Sequence, residues 1–302
     1  MKKILVIIFL VLILNTTAFA DKKFEKDLKK VSKDNGFVDS KGKTYSIDQI
    51  SDKNNTILII FNHGSLNDQK IDKCLSPWNK VPPVIRNLHD KKIKNFNVKI
   101  YRLCSGVKGW SKKEQTKMWK AHEKSGSLDL KLADKDGISL IEKQKQNRKR
   151  KIIKEKVENF KAKGFKNIVL AGHSSGGWQS IKLKAEFPKL VQGVIGLHPG
   201  AGGTVKNRKD WPWWEDVRYY GFVKDLSQIN GIIITHDEDH FNSPNDYSIF
   251  KSINSVKFVN LTNSGCKKAE PMNNYHGITL TKCYAEYEKK NKDLIKYLND
   301  IF

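Results

Sequence analysis

Residues 167–179, NIVLAGHSSGGWQ, constrain this chain more than any other stretch, because they read as a buried strand running into a tight glycine turn with a serine at its apex. The run Ile168, Val169, Leu170, Ala171 is short, apolar and unbroken, the pattern of a strand covered on both faces of a parallel sheet. Gly172, Ser174 and Gly176 complete G-x-S-x-G, and Trp178, Ile181 and Ala185 follow at helical spacing as far as Pro188. A sharp strand-to-helix turn needs residues without a Cβ where the backbone passes close to itself. That requirement explains both glycines and leaves the Ser174 hydroxyl exposed above the sheet.

The rest of the chain alternates strand and helix patterns. Strands are predicted over 56–61, 97–103, 191–197, 231–235 and 255–261, and helices over 84–92 and 138–163. Tyr284, Tyr287, Ile295, Leu298 and Ile301 mark a closing amphipathic helix. This order predicts an α/β fold with a doubly wound, mostly parallel sheet, formed as one domain over residues 21–302. Two stretches break the alternation, 105–137 and 199–228, and both leave from C-terminal ends of strands, where open α/β sheets place their sites. They are candidate lids. The second carries Trp211, Trp213 and Trp214, which either line a substrate pocket or build a satellite core under a long loop.

At the N-terminus, Lys2 and Lys3, the apolar run 4–14 and the small-residue ending at Ala20 form a secretory signal peptide over residues 1–20, with the mature chain starting at Asp21. The apolar run is shorter than the ~20 residues a spanning helix needs, and no later stretch qualifies, so no membrane span is expected. The expected location is periplasmic or extracellular, which permits disulfides among the four cysteines. Proximity pairs Cys74 with Cys104 and Cys266 with Cys283; buried free thiols are the alternative. No pair has C-x-x-C spacing, so neither a zinc knuckle nor a thioredoxin-like centre is indicated. The net charge is +24, but lysines are spread along the whole chain. The densest run, residues 143–156, lacks interleaved aromatics, so it reads as a solvated helix face and no specific nucleic-acid binding is expected.

A serine hydroxyl becomes a nucleophile only when a base takes its proton, an acid orients that base and amide donors receive the oxyanion. Downstream of Ser174, the 231–235 strand delivers His236-Asp237-Glu238-Asp239-His240, and His276-Gly277 precedes the last helix. With the elbow GHSSGG, an early strand ending in His63-Gly64-Ser65, a carboxylate after the strand GIII and a late His-Gly pair, the chain resembles the α/β-hydrolase superfamily over nearly all of residues 21–302. The resemblance implies Ser174 as nucleophile, His276 as general base, and the backbone amides of Ser65 and Ser175 as oxyanion hole. It favours Asp239 as the acid, with Asp237 the alternative because the G-x-x-D pattern common in the family has His236 in place of its glycine. His173 and His63 take structural roles in this reading, whereas His198 lies near the same sheet edge and is a candidate substrate contact. The activity implied is hydrolysis of a small-molecule ester, thioester or lactone, with peptidase second and no cofactor or metal. Two further readings stay open: a metal-dependent hydrolase using His236 and His240, and a non-catalytic binding protein on a hydrolase scaffold.

Overall fold

The computed structural model describes residues 34–65, 74–76, 79–105, 116, 138–210, 213–219, 226–269 and 273–302. The signal peptide expected over residues 1–20 and, apart from Ser105 and Thr116, the first candidate lid lie outside the described residues.

The strands are β1 (Gly36–Val38), β2 (Thr44–Tyr45), β3 (Thr56–Asn62), β4 (Lys92–Ile93), β5 (Phe96–Leu103), β6 (Asn167–His173), β7 (Gly193–Leu197), β8 (Gly231–Thr235) and β9 (Val256–Asn260). They form one 9-stranded open sheet in the order β2-β1-β5-β3-β6-β7-β8-β9, with β4 paired to β5. From β5 to β9 the neighbours are parallel, and antiparallel pairing is confined to the edge formed by β1, β2 and β4. The order steps from β3 outward in both directions, which is the doubly wound arrangement expected.

The unbroken apolar runs have a direct packing reason. Successive strand residues point to opposite faces, so Ile57, Ile59, Phe61, Val169 and Ala171 join one core layer while Leu58, Ile60, Ile168 and Leu170 join the other. Among the described residues, seven α-helices follow in chain order: α1 (Pro83–Arg86), α2 (Ile138–Ala162), α3 (Ser175–Glu186), α4 (Val205–Asp210), α5 (Trp213–Tyr219), α6 (Lys282–Asn291) and α7 (Asp293–Ile301). Val84, Tyr284, Leu294 and Leu298 bring α1, α6 and α7 onto the first layer; Ile153, Val157, Trp178 and Ile181 bring α2 and α3 onto the second. At the far edge, β9 keeps Val256 buried but exposes Lys257 and Phe258.

Three local expectations are corrected. The helix predicted over 84–92 ends at Arg86, because Asp90 adopts φ 59° and donates its amide to Val98 O (2.9 Å), turning the chain back into the β4–β5 hairpin. The closing helix is two helices, separated where Lys292 adopts the left-handed conformation (φ 58°) and Glu288 accepts the Leu294 amide at 2.7 Å. The third correction concerns cysteines. Cys266 and Cys283 form the expected disulfide, whereas Cys74 and Cys104 are both buried and unbridged. They are 0% and 1% exposed and fill the interior as small thiols.

Candidate active site

The elbow lies in the middle of the sheet, where β6 runs into α3. Ser174 between them has φ 51° and ψ −124°, a sparsely populated backbone region for a residue with a side chain. Neighbouring bonds hold it there: its amide donates to Leu197 O (3.0 Å), and its carbonyl accepts from Trp178 and Gly200 (3.0 Å each). The two glycines are required by contact. A Cβ on Gly172 would stand 2.4 Å from the Gly176 carbonyl carbon, and one on Gly176 would stand 2.2 Å from Asn62 O.

The loop after β8 and the turn before α6 return to the same edge. Asp239 is 2% exposed, and its Oδ2 accepts from His276 Nδ1 at 2.8 Å and His198 Nδ1 at 2.9 Å, while Oδ1 accepts the Phe241 amide at 2.8 Å. Burial alone would raise the Asp239 carboxyl, but the charge of His276 and the bonds from both imidazoles outweigh it and hold the group below the ordinary carboxylate range. An ionised carboxylate only accepts, so both histidines carry a proton on Nδ1 and turn Nε2 away from Asp239. Each Nε2 is buried without a hydrogen-bond partner among the described residues, so Ser174 Oγ makes no bond to His276 in this state. Burial also keeps His198 below the ordinary imidazole range, and therefore neutral.

Three groups position His276. Asn274 caps its short helical turn, Tyr275–Leu280, by accepting the Gly277 amide (3.2 Å). The imidazole packs against Phe241, ring centroids 4.5 Å apart. His173, inside the elbow, donates Nε2–H to the His276 carbonyl at 2.9 Å, so it ties the two loops together as a structural group. The Cys266–Cys283 bond closes the segment that carries His276.

On the other side of the elbow, Ser175 is the first residue of α3, where amides have no acceptor within the helix. Ser65 follows the end of β3. Behind them, Lys149 reaches inward from α2: its Nζ donates to His63 O (2.6 Å), Gly64 O (3.1 Å) and Ser175 Oγ (3.0 Å). The 143–156 run is thus not a uniformly solvated face. Lys149 is 3% exposed, because α2 packs against α3 and carries this residue on its inner side. Sequence reading missed it; the available signal was that Lys149 lies four residues before Ile153, in line with the apolar stripe of Ile153, Val157 and Phe160.

Other expectations fare differently. Asp237 is exposed and directed away from the histidines, its carboxylate accepting from Asn260 Nδ2 at 2.9 Å. His236 stacks on Tyr275 (centroids 3.8 Å apart) and accepts the Glu238 amide at 3.0 Å, whereas His240 is exposed beside Phe241. The HDEDH segment therefore does not converge as a ligand set. Among the described residues, the group with potential ligand atoms within 4.8 Å of one another is His198, Asp239 and His276, already joined by hydrogen bonds. His198 is fully buried with φ 45°, its Nδ1 held by the Asp239 carboxylate at 2.9 Å. Of the tryptophans, Trp211 and the side chain of Trp213 lie outside the described residues. Trp214 is buried beside Val217 and Arg218, and Arg218 lies over the Trp178 ring at 4.2 Å while accepting from its Nε1 at 2.8 Å through the carbonyl. This part of the second insertion packs on the elbow helix as satellite core.

No protein-family profile matches the chain, and neither does any curated protein sequence. Among solved structures, it is similar to Est1E from Butyrivibrio proteoclasticus with ferulic acid bound: 13% identity, covering 85% of this chain and 98% of that one, TM-score 0.46. It is also similar to a CIB-like hydrolase from Thermoplasma acidophilum (16% identity, 88% and 97% covered, TM-score 0.40). A lipase-esterase related protein from Clostridium acetobutylicum shows 13% identity, with 85% and 98% covered and a TM-score of 0.42. These likenesses are distant, and the chain's own topology decides the fold. With its elbow in a central strand of an open, mostly parallel sheet, and the loops after β8 and before α6 returning to that edge in chain order, the chain has the α/β-hydrolase fold.

Proposed function

We propose that this chain is an exported serine hydrolase that cleaves a small ester, thioester or lactone through an acyl-serine intermediate. The observation that carries the reading is the 2.8 Å bond from His276 Nδ1 to the buried Asp239 carboxylate, at the edge where a strained elbow presents Ser174. That bond fixes the imidazole tautomer and leaves Nε2 as the base. Ser174 Oγ attacks the acyl carbon as Nε2 takes its proton, and the carbonyl oxygen, now an alkoxide, is received by the amides of Ser65 and Ser175. Collapse breaks the bond to the leaving group, which departs with the proton from His276. Water then repeats the sequence on the acyl-serine, with His276 again as base. In apo sites the bond from serine to base is often made only once substrate is bound, which fits the unpartnered Nε2. Export rests on the signal-peptide pattern of residues 1–20.

The test is labelling with a fluorophosphonate probe, alongside a panel of short and long acyl esters and aminoacyl amides. The wild type should be labelled at Ser174 and hydrolyse esters, and Ser174→Ala should lose both properties. Efficient labelling of that variant would overturn the assignment, and amide cleavage exceeding ester cleavage would make the protein a peptidase.

A further inference from the structure

Lys149 and the unbridged cysteines form a buried cluster that the reaction above does not use. The lysine contacts both segments assigned to the oxyanion hole: the carbonyls of His63 and Gly64 in one, and the Ser175 hydroxyl in the other. The Gly64 carbonyl and the Ser65 amide belong to a single planar trans peptide unit, in which C=O and N–H point in opposite directions. An ammonium that holds the carbonyl on one side therefore aims the Ser65 N–H to the other. The bond to Ser175 Oγ ties the same ammonium to the first residue of α3.

A buried ammonium persists only with a counter-charge or a full set of acceptors. Burial draws Lys149 down to about 7, and negative charge at Cys74 and Glu142 opposes that fall. The hydrogen bond from Cys104, with the charge of Lys149, outweighs burial and lowers the Cys74 thiol to about 5, while Cys104 is pushed up and keeps its proton.

We infer that Lys149 is a positioning residue of the oxyanion hole: its ammonium, donating to His63 O, Gly64 O and Ser175 Oγ, holds the His63–Ser65 loop and the start of α3 in place. The inference rests on the serine-hydrolase reading of the site. It predicts an alkaline limb in the pH–rate profile, where activity falls as Lys149 loses its proton. The groups facing that proton are Cys74, Cys104, His63, Ser175 and, on its own helix, Glu142.

The experiment measures kcat and KM for an ester across pH in wild type, Lys149→Met, Lys149→Arg and Cys74→Ala, with ultraviolet titration of the thiolate in each. Lys149→Met should lower kcat about 10²-fold with little change in KM, the size of losing one oxyanion donor, and should abolish the alkaline limb. Lys149→Arg should recover part of the loss, because a guanidinium keeps the charge and the donors. Cys74→Ala keeps the lysine in place and should move the alkaline limb to lower pH by about one unit, equal to 1.36 kcal/mol of lost charge interaction; it serves as the test should Lys149→Met fail to fold. In Lys149→Met, thiolate formation should shift to higher pH. An active wild type with Lys149→Met within about threefold in kcat, or with the limb unmoved in Cys74→Ala, overturns this inference and leaves the hydrolase reading standing. A folded wild type inert to esters and probe overturns both, and the thiolate titration then reports the Lys149–Cys74 pairing by itself.

Discussion

Asp239 receives two imidazoles on one oxygen, and the two do different work. His276 can present its free Nε2 to a serine proton, while His198, fully buried and neutral, supplies a second fixed donor that keeps the carboxylate ionised and oriented. Asp239→Asn should therefore reduce kcat by something near the ~10⁴-fold known for replacing a triad carboxylate. Asp237→Asn should change it only a few-fold, about what losing a surface bond to Asn260 implies. A reversed ranking in ester kinetics would assign the acid role to Asp237. The contribution of Asp239 to stability is complete above the ordinary carboxylate range and is lost as pH falls through the folded value. Removing the His198 donor raises that folded value, so His198→Leu should begin to lose stability in acid at higher pH than wild type, as followed by circular dichroism during acid titration. The sequence could not separate Asp237 from Asp239, since both sit in HDEDH. What separates them is the position of Asn260 and Thr262 on and after β9, which capture the Asp237 side chain and amide respectively.

At the level of elements, the elbow was legible because its constraints are local. Apolar residues enter it, glycines stand where backbones nearly touch, and an amphipathic helix leaves it. The loop bearing His276 was legible only as a histidine in a polar turn, since its position is set by contacts distant in sequence: His173 in the elbow and the disulfide to α6. The disulfide spans a sequence separation of 17, and closing such a loop is worth about 3 kcal/mol in the chain-entropy estimate. Reduction should accordingly lower the denaturation midpoint, and it should lower ester turnover before the domain unfolds, because the base loop loses its tie. Turnover and near-ultraviolet circular dichroism, followed together during titration with reductant, decide this; activity indifferent to reduction of a confirmed bond would separate the disulfide from the positioning of His276. Non-reducing peptide mapping checks the bond itself.

For the whole molecule, the net charge of +24 carried little information about chemistry. Lysines on a helix look alike in sequence whether solvated, as Lys151 is, or turned into the core, as Lys149 is. Export is an expectation of a different kind, since it depends on residues 1–20 alone and can be tested alone. N-terminal sequencing of protein recovered outside the cytoplasm should begin at Asp21; a chain beginning at Met1 there would show that the segment is kept.

By itself, the sequence determined the alternation of elements, the glycine-bounded serine turn and the chain order of serine, carboxylate cluster and histidine. Those features follow from side-chain periodicity and from steric limits within a few residues. The tertiary structure alone decided that Asp239 rather than Asp237 meets His276, that His198 bonds the same carboxylate oxygen, that Cys74 and Cys104 stay unbridged, and that Lys149 stands behind the His63–Ser65 loop. Each of these is a contact between residues far apart in the chain. The packing of α2 on α3, and the return of the loops after β8 and before α6 to one sheet edge, bring them together, and nothing in the local sequence encodes that approach.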